Sequence, residues 1–153
     1  MNFDKRTRAR ELAVQGLYQL DIQGPEGLAP LDEFFSEADS DDSVRKLASE
    51  WTKGAWKNLQ QCDQLIIAST LKWQFGRLSP VDKSILRLSV YQLKFCPDIP
   101  PKVVINEAIE LAKKFSSEKA PSFVNGVLDA ILKKLASCRS NHDSQTTGHQ
   151  ARI

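Results

Sequence analysis

Ser79-Pro80-Val81-Asp82-Lys83-Ser84-Ile85-Leu86-Arg87-Leu88-Ser89-Val90-Tyr91-Gln92-Leu93 reads as one complete helix with its own start signal. Ser79 is a good N-cap, Pro80 suits the first helical position, and Asp82 puts an acid where the helix dipole favours one. Val81, Ile85, Leu88 and Leu93 supply the inward face, and Pro97 prevents continuation.

The same pattern extends outward in both directions. Toward the C-terminus, Pro100-Pro101 restarts the chain into Val104, Ile105, Ala108, Leu111, Ala112 and Phe115. A turn over 116–120 and then Pro121 open a last helix with Val124, Val127, Leu128, Ile131 and Leu135 inward. Toward the N-terminus, Ala9, Leu12, Ala13, Gly16, Leu17 and Leu20 form one apolar stripe, with Thr7 placed to cap it and Gly24-Pro25 to end it. A short helix is expected over 28–35. Asp41 or Asp42 starts another that faces Val44, Leu47, Ala48, Trp51 and Ala55 inward. A break near Gln60-Gln61 leads to a helix carrying Leu65, Ile66 and Leu71. No segment alternates with period two. The expectation is an all-α fold, a compact bundle of about seven helices in a single domain over 1–137. The polar, aperiodic stretch 138–153 is expected to be disordered.

Charge is distributed unevenly although the net value is only +2, too small for a generic nucleic-acid binder. Seven acids and no base fall within 26–42, while Lys5, Arg6, Arg8 and Arg10 crowd the start of the first helix. Cations there oppose the helix dipole, and unpaired backbone N–H groups at such an end suit an anion. Two readings are open for this segment: a polyphosphate contact, with RNA the foremost candidate, or a solvated basic terminus. The sign repeats at Lys102, in the first turn after Pro100-Pro101, and at Lys119, just before Pro121. Convergence of the three helix starts would make one basic rim. Lys113-Lys114 and Lys133-Lys134 lie near helix C-termini, where the dipole already explains them. Phe115 and Phe123 flank the turn carrying Lys119, either to stack bases or to pack the junction. Tyr18 sits at the stripe edge, as a half-buried core ring or a partner contact. Within the last helix, Gly126 would let another helix approach and Asn125 offers an amide.

Catalysis finds little support. Both histidines, His142 and His149, lie in the polar tail, which removes the commonest general base and zinc ligand from the core. No phosphate-cradling glycine motif occurs. Glu107 and Glu110 share a helix, but no histidine accompanies them, so they read as solvated acids; Asp63 has no partner that spacing reveals. Cys62, Cys96 and Cys138 fit no metal pattern and read as reduced thiols. No metal and no cofactor are expected. Neither an export signal nor an apolar run long enough for a bilayer is present, so a cytoplasmic location is expected.

Four ordered motifs resemble the NusB transcription antitermination factors. Arg8-Ala9-Arg10-Glu11-Leu12-Ala13-Val14-Gln15-Gly16-Leu17-Tyr18 is similar to the family's first helix, and Val81-Asp82-Lys83-Ser84-Ile85-Leu86-Arg87 with Tyr91-Gln92-Leu93 to its central one. Val104-Ile105-Asn106-Glu107-Ala108-Ile109-Glu110-Leu111-Ala112-Lys113-Lys114-Phe115 and Phe123-Val124-Asn125-Gly126-Val127-Leu128-Asp129 complete the series. The resemblance implies two packed helical sub-bundles and no enzymatic activity. It implies binding of boxA in nascent ribosomal RNA together with the ribosomal protein NusE, within an RNA polymerase antitermination complex. It places Arg6, Arg8 and Arg10 in the arginine-rich RNA-binding start, with Lys102, Phe115, Lys119 and Phe123 continuing that surface. It assigns Tyr18, Leu78 and Asp82 to the NusE surface. A protein-interaction module or homodimer with accessory RNA contact is the alternative. Two positions depart from the pattern: Thr7 interrupts the arginines, and Pro101 stands where relatives often carry an aromatic.

Overall fold

A computed structural model describes residues 3–151, with side chains placed at 4–71 and 74–138. Its elements in order are α1 (Phe3–Gln23), a 3₁₀ turn (Gly24–Leu28), α2 (Leu31–Ala38), α3 (Asp42–Lys57) and α4 (Leu59–Ser69). There follow α5 (Lys72–Arg77), α6 (Pro80–Phe95), α7 (Pro101–Phe115) and α8 (Ala120–Ala151). Among the described residues there is no strand, so the all-α expectation holds, with eight α-helices where about seven were anticipated.

The extra helix is α5, and local hydrogen bonding explains it. Leu71 leaves the preceding helix in an extended conformation, and its N–H donates to Gln74 Oε1 at 3.0 Å, which starts a new turn. Leu71 is therefore exposed and caps α5, not a core residue of α4. The break before α4 falls at Asn58, slightly earlier than expected. Other boundaries follow their signals. Asp41 caps α3 by accepting from the N–H groups of Ser43 and Val44, and Ser79 accepts from the N–H of Asp82. Gly24, at φ +75°, turns the chain out of α1 as only glycine does without strain. Thr7 does not cap α1, because the helix begins four residues earlier and leaves its hydroxyl free for tertiary bonding.

The interior is built around α6. Every residue from Ser84 to Val90 is buried, as expected for a helix enclosed on all sides. It packs against α1, α3, α4, α7 and α8, while α1–α3 also pack among themselves. Two sub-bundles thus share α6 as a wall. Close approach of α3 to α6 needs Gly54, where any Cβ would collide with the Tyr91 ring. Gly126 has no such role: a Cβ there would meet nothing within 4 Å, and both it and Asn125 face outward on α8.

Arg87 is the polar centre of this packing. Its Nε and Nη2 donate to the two oxygens of Asp63 at 2.8 and 2.9 Å, and its Nη1 to Asp21 Oδ1 at 2.7 Å. One guanidinium thus joins α6, α4 and α1. The fork geometry of arginine allows a bidentate pair that lysine could not make.

α8 is helical as far as Ala151. No proline or glycine interrupts it between Val127 and Thr147, which removes the usual stop signals. Its packed face ends at the half-buried Leu135. The side chains of His142 and His149, and residues 152 and 153 altogether, lie outside the described part.

Cys62, Cys96 and Cys138 are all free thiols. Burial, reinforced by the nearby Asp63 charge, pushes the Cys62 thiol up to about 12. Tyr91 and Cys96 are raised in the same direction, chiefly by burial. An unfolded chain ionises its thiols near pH ~8.5, so the neutral buried forms favour folding fully below that pH. The contribution is lost as pH rises toward the folded values. Urea midpoints are therefore expected to fall between pH ~9 and ~11, with a shallower fall in Cys62→Ala. Equal slopes in the two proteins would show that Cys62 is not a source of alkaline sensitivity.

Candidate nucleic-acid interface

The four bases at the start of α1 do not share one fate. Lys5 and Arg6 are exposed, Arg8 is half-buried, and Arg10 is only 2% exposed. Arg10 falls on the stripe that α1 turns toward α3, one step from Ala9 and three from Ala13. Its guanidinium stands 5.2 Å from the Trp51 ring centroid, with Nη1 3.5 Å from Glu107 Oε1. Burial depresses its pKa and Glu107 opposes that effect. Arg10 is thus corrected from surface phosphate contact to buried counter-ion, since the helical face it occupies is the packed one. Glu107 changes with it: this carboxylate is buried, and also accepts from Thr7 Oγ1 at 2.9 Å.

These bonds reach across a groove between α1 and α7, which both pack on α6 and run in the same direction. Arg6 shares a cavity with Asp98 and Ile99, just before α7 begins. Thr7 meets Val103 and Glu107 along one groove. Farther on, Lys114 Nζ donates to Glu11 Oε1 at 2.8 Å, and Phe115 joins Val14 and Tyr18 around a common depression. Lys102 is therefore at the α1 start, whereas Lys119 lies beyond the other end of α7. A helix of 15 residues spans about 22 Å, so the three basic helix starts do not converge on one rim. They mark the two ends of an elongated face. Lys114, whose place near a helix C-terminus already suits the dipole, also stands on this face beside Glu11.

The far end brings together residues of both expected surfaces. Leu78 and Asp82 share a cavity of about 310 Å³ with Lys119 and Phe123, together with Arg77 and Ser117. Ser116 Oγ donates to Asp82 Oδ1 at 2.6 Å, which pins the α7–α8 turn to the first turn of α6. Phe115 and Phe123 are both half-buried, each with one part of the ring on the core and one part accessible. Tyr18 is exposed and lines the adjoining depression with Val81 and Phe115. Arg77 and Ser116 had no distinguishing signal in the sequence; their place follows only from the meeting of α5, α6 and α8.

The NusB family model matches residues 7–133. The chain belongs to the NusB family. Transcription antitermination protein NusB of Syntrophus aciditrophicus is 43% identical over 131 residues, 86% of this chain and 81% of that protein. Its counterpart in Geobacter sulfurreducens is 40% identical over 131 residues, 85% of this chain and 95% of that one. Among solved structures, T. maritima NusB matches with a TM-score of 0.76 at 38% identity, over 84% of this chain and 90% of the other. A crystal structure of antitermination factors NusB and NusE in complex with dsRNA contains a chain matching with a TM-score of 0.78 at 30% identity, over 87% of this chain and 99% of that chain. Proteins of this family are antitermination factors and not enzymes. Among the described residues no cluster of metal-binding side chains occurs, and no helix is long and apolar enough to cross a membrane.

Burial separates the roles of Arg6 and Arg10 experimentally. Arg10→Ala strands Glu107 in the core and is expected to cost about 3 kcal/mol of stability. Arg6→Ala changes an exposed side chain and is expected to stay within about 0.5 kcal/mol. Urea denaturation of the two variants checks this. Equal, small losses would mean that Arg10 is not held as described.

Proposed function

We propose that this chain binds boxA in nascent ribosomal RNA jointly with NusE and acts within the antitermination complex of RNA polymerase, in the cytoplasm. The observation that carries this reading is the shared cavity at the α7–α8 turn, where Lys119 and Phe123 adjoin Leu78 and Asp82. An anion contact and an aromatic ring stand beside an apolar residue and an acid there, so RNA and a protein can meet on contiguous surface. The existence of a solved NusB–NusE complex with dsRNA whose NusB fold this chain shares supports it. Lys5, Arg6, Arg8 and Lys102 serve the α1 end of the RNA path, with Phe115, Lys119 and Phe123 at the other. Tyr18, Leu78 and Asp82 serve NusE. In this reading the folded unit is 1–137 and the polar stretch 138–153 is an appendage to it.

Self-association with only accessory RNA contact is the second reading. A groove of about 700 Å³ between α1 and α7, with Val103 and Leu111 in its wall, favours it.

Binding of a labelled boxA RNA, with and without NusE, against a scrambled RNA of equal length decides between them. Sequence-selective binding that NusE strengthens, and that weakens steeply with added salt, is expected. Equal weak binding to both RNAs, together with a light-scattering mass of twice 17.2 kDa, would replace it with the dimer reading.

A further inference from the structure

The loop joining α2 to α3 lies on the basic start of α1. Asp41 Oδ2 is 2.9 Å from Lys5 Nζ, and Asp39 Oδ2 is 3.3 Å from Arg8 Nε. Arg8 Nη2 also donates to the carbonyl of Ala38 at 3.2 Å. Carboxylates of the chain's own acidic segment thus sit where RNA phosphates would have to sit.

Each aspartate divides its two oxygens between separate tasks. Asp39 Oδ1 accepts from the Asp41 N–H at 2.9 Å, which shapes the loop, and only Oδ2 faces Arg8. Asp41 Oδ1 accepts from Ser43 and Val44 to cap α3, and only Oδ2 faces Lys5. Arg45 Nη1 holds the Asp39 carbonyl at 2.9 Å, so the loop is fixed from the α3 side. The contacts to Lys5 and Arg8 are therefore additional to those that build the loop. They are also partly exposed, with 45% of the Lys5 side chain and 37% of the Arg8 side chain open to solvent. Exposed pairs of this kind are weak and salt-screened, so a polyanion can displace them.

We propose that the α2–α3 loop is a built-in competitor for RNA: Asp39 and Asp41 occupy Arg8 and Lys5 in the free protein and yield them to phosphate on binding. This rests on the RNA-binding reading above and adds a regulatory element to the same site. It gives the acidic segment a function in recognition, since a ligand with dense negative charge competes for both bases at once.

The division of labour between oxygens supplies the test. Asp39→Asn with Asp41→Asn keeps an acceptor for the loop and for the cap, asparagine being as good an N-cap as aspartate, and removes both charges. Glu26→Gln with Glu33→Gln removes the same charge from exposed positions of the same acidic segment and serves as control. Affinity for labelled boxA RNA in the presence of NusE is expected to rise about three- to tenfold in the asparagine variant relative to the control. The gain is expected to vanish when Lys5→Ala and Arg8→Ala are added, because the effect runs through those two bases. An equal gain in the control, or a gain that survives loss of Lys5 and Arg8, overturns the proposal. If the double variant melts early, Asp39→Asn alone carries the test, since the α3 cap is then untouched. Wild-type binding with no gain in the variant rejects the competitor and spares the RNA reading. Absence of RNA binding in every protein rejects both.

Discussion

Glu107 is the constraint on which the arrangement depends. One buried carboxylate accepts from the Thr7 hydroxyl at 2.9 Å and stands 3.5 Å from the Arg10 guanidinium, an ion pair without a hydrogen bond, so Thr7 is the side chain of α1 that is bonded to the middle of α7. Leaving either charge alone in that interior would cost several kcal/mol. The pair adds a polar restraint to the apolar stripe of Ala9, Leu12, Ala13, Leu17 and Leu20, which sets the inner face of α1. Lys5 and Arg8 lie on other faces of α1, while Arg6, one turn before Arg10 on the same face, is exposed.

From that alignment the functional face follows. With α1 and α7 running the same way on either side of a groove, Arg6 and Lys102 belong to one end and Phe115 to the other. The turn after α7 then carries Lys119 and Phe123 against the first turn of α6, fixed by the Ser116–Asp82 bond. Arg87 ties α6 to α4 and to the last turn of α1 through Asp63 and Asp21. A long strip results, with cations along it and a mixed apolar and acidic patch at one end. That shape suits an extended polymer with a protein beside it. Electrostatics within the strip is not simply positive, because Glu11 bridges Arg8 and Lys114 at 3.1 and 2.8 Å.

Much of the fold was legible in the chain. Asp41 and Ser79 are caps whose chemistry acts within three residues, and the stripes of α1, α6, α7 and α8 follow helical periodicity. The motifs that resembled NusB proteins lie in those same helices. What could not be read depended on partners remote in sequence. Thr7 and Glu107 are separated by 100 positions, so neither a misassigned cap nor a supposedly solvated acid could be recognised locally. Arg10 looked like its basic neighbours until α3 and α7 enclosed it. The partner of Asp63 is likewise set by the crossing of α4 and α6. Leu71 misled because an apolar residue at a helix boundary looks the same whether it ends one helix or caps the next. Lys114 had a sufficient local explanation, which hid its place beside Glu11.

In the proposed complex, RNA would follow the face built by α1, α7 and the α7–α8 turn, with NusE adjoining it at Leu78 and Asp82. Photo-crosslinking a boxA RNA carrying thio-substituted uridines to the protein–NusE complex, followed by peptide mapping, tests it directly. Adducts confined to peptides containing Lys5–Arg8, Lys102 and Phe115–Phe123 are the predicted result. Adducts concentrated on α4 or on the solvent face of α3, with the α7–α8 turn unmodified, would contradict it.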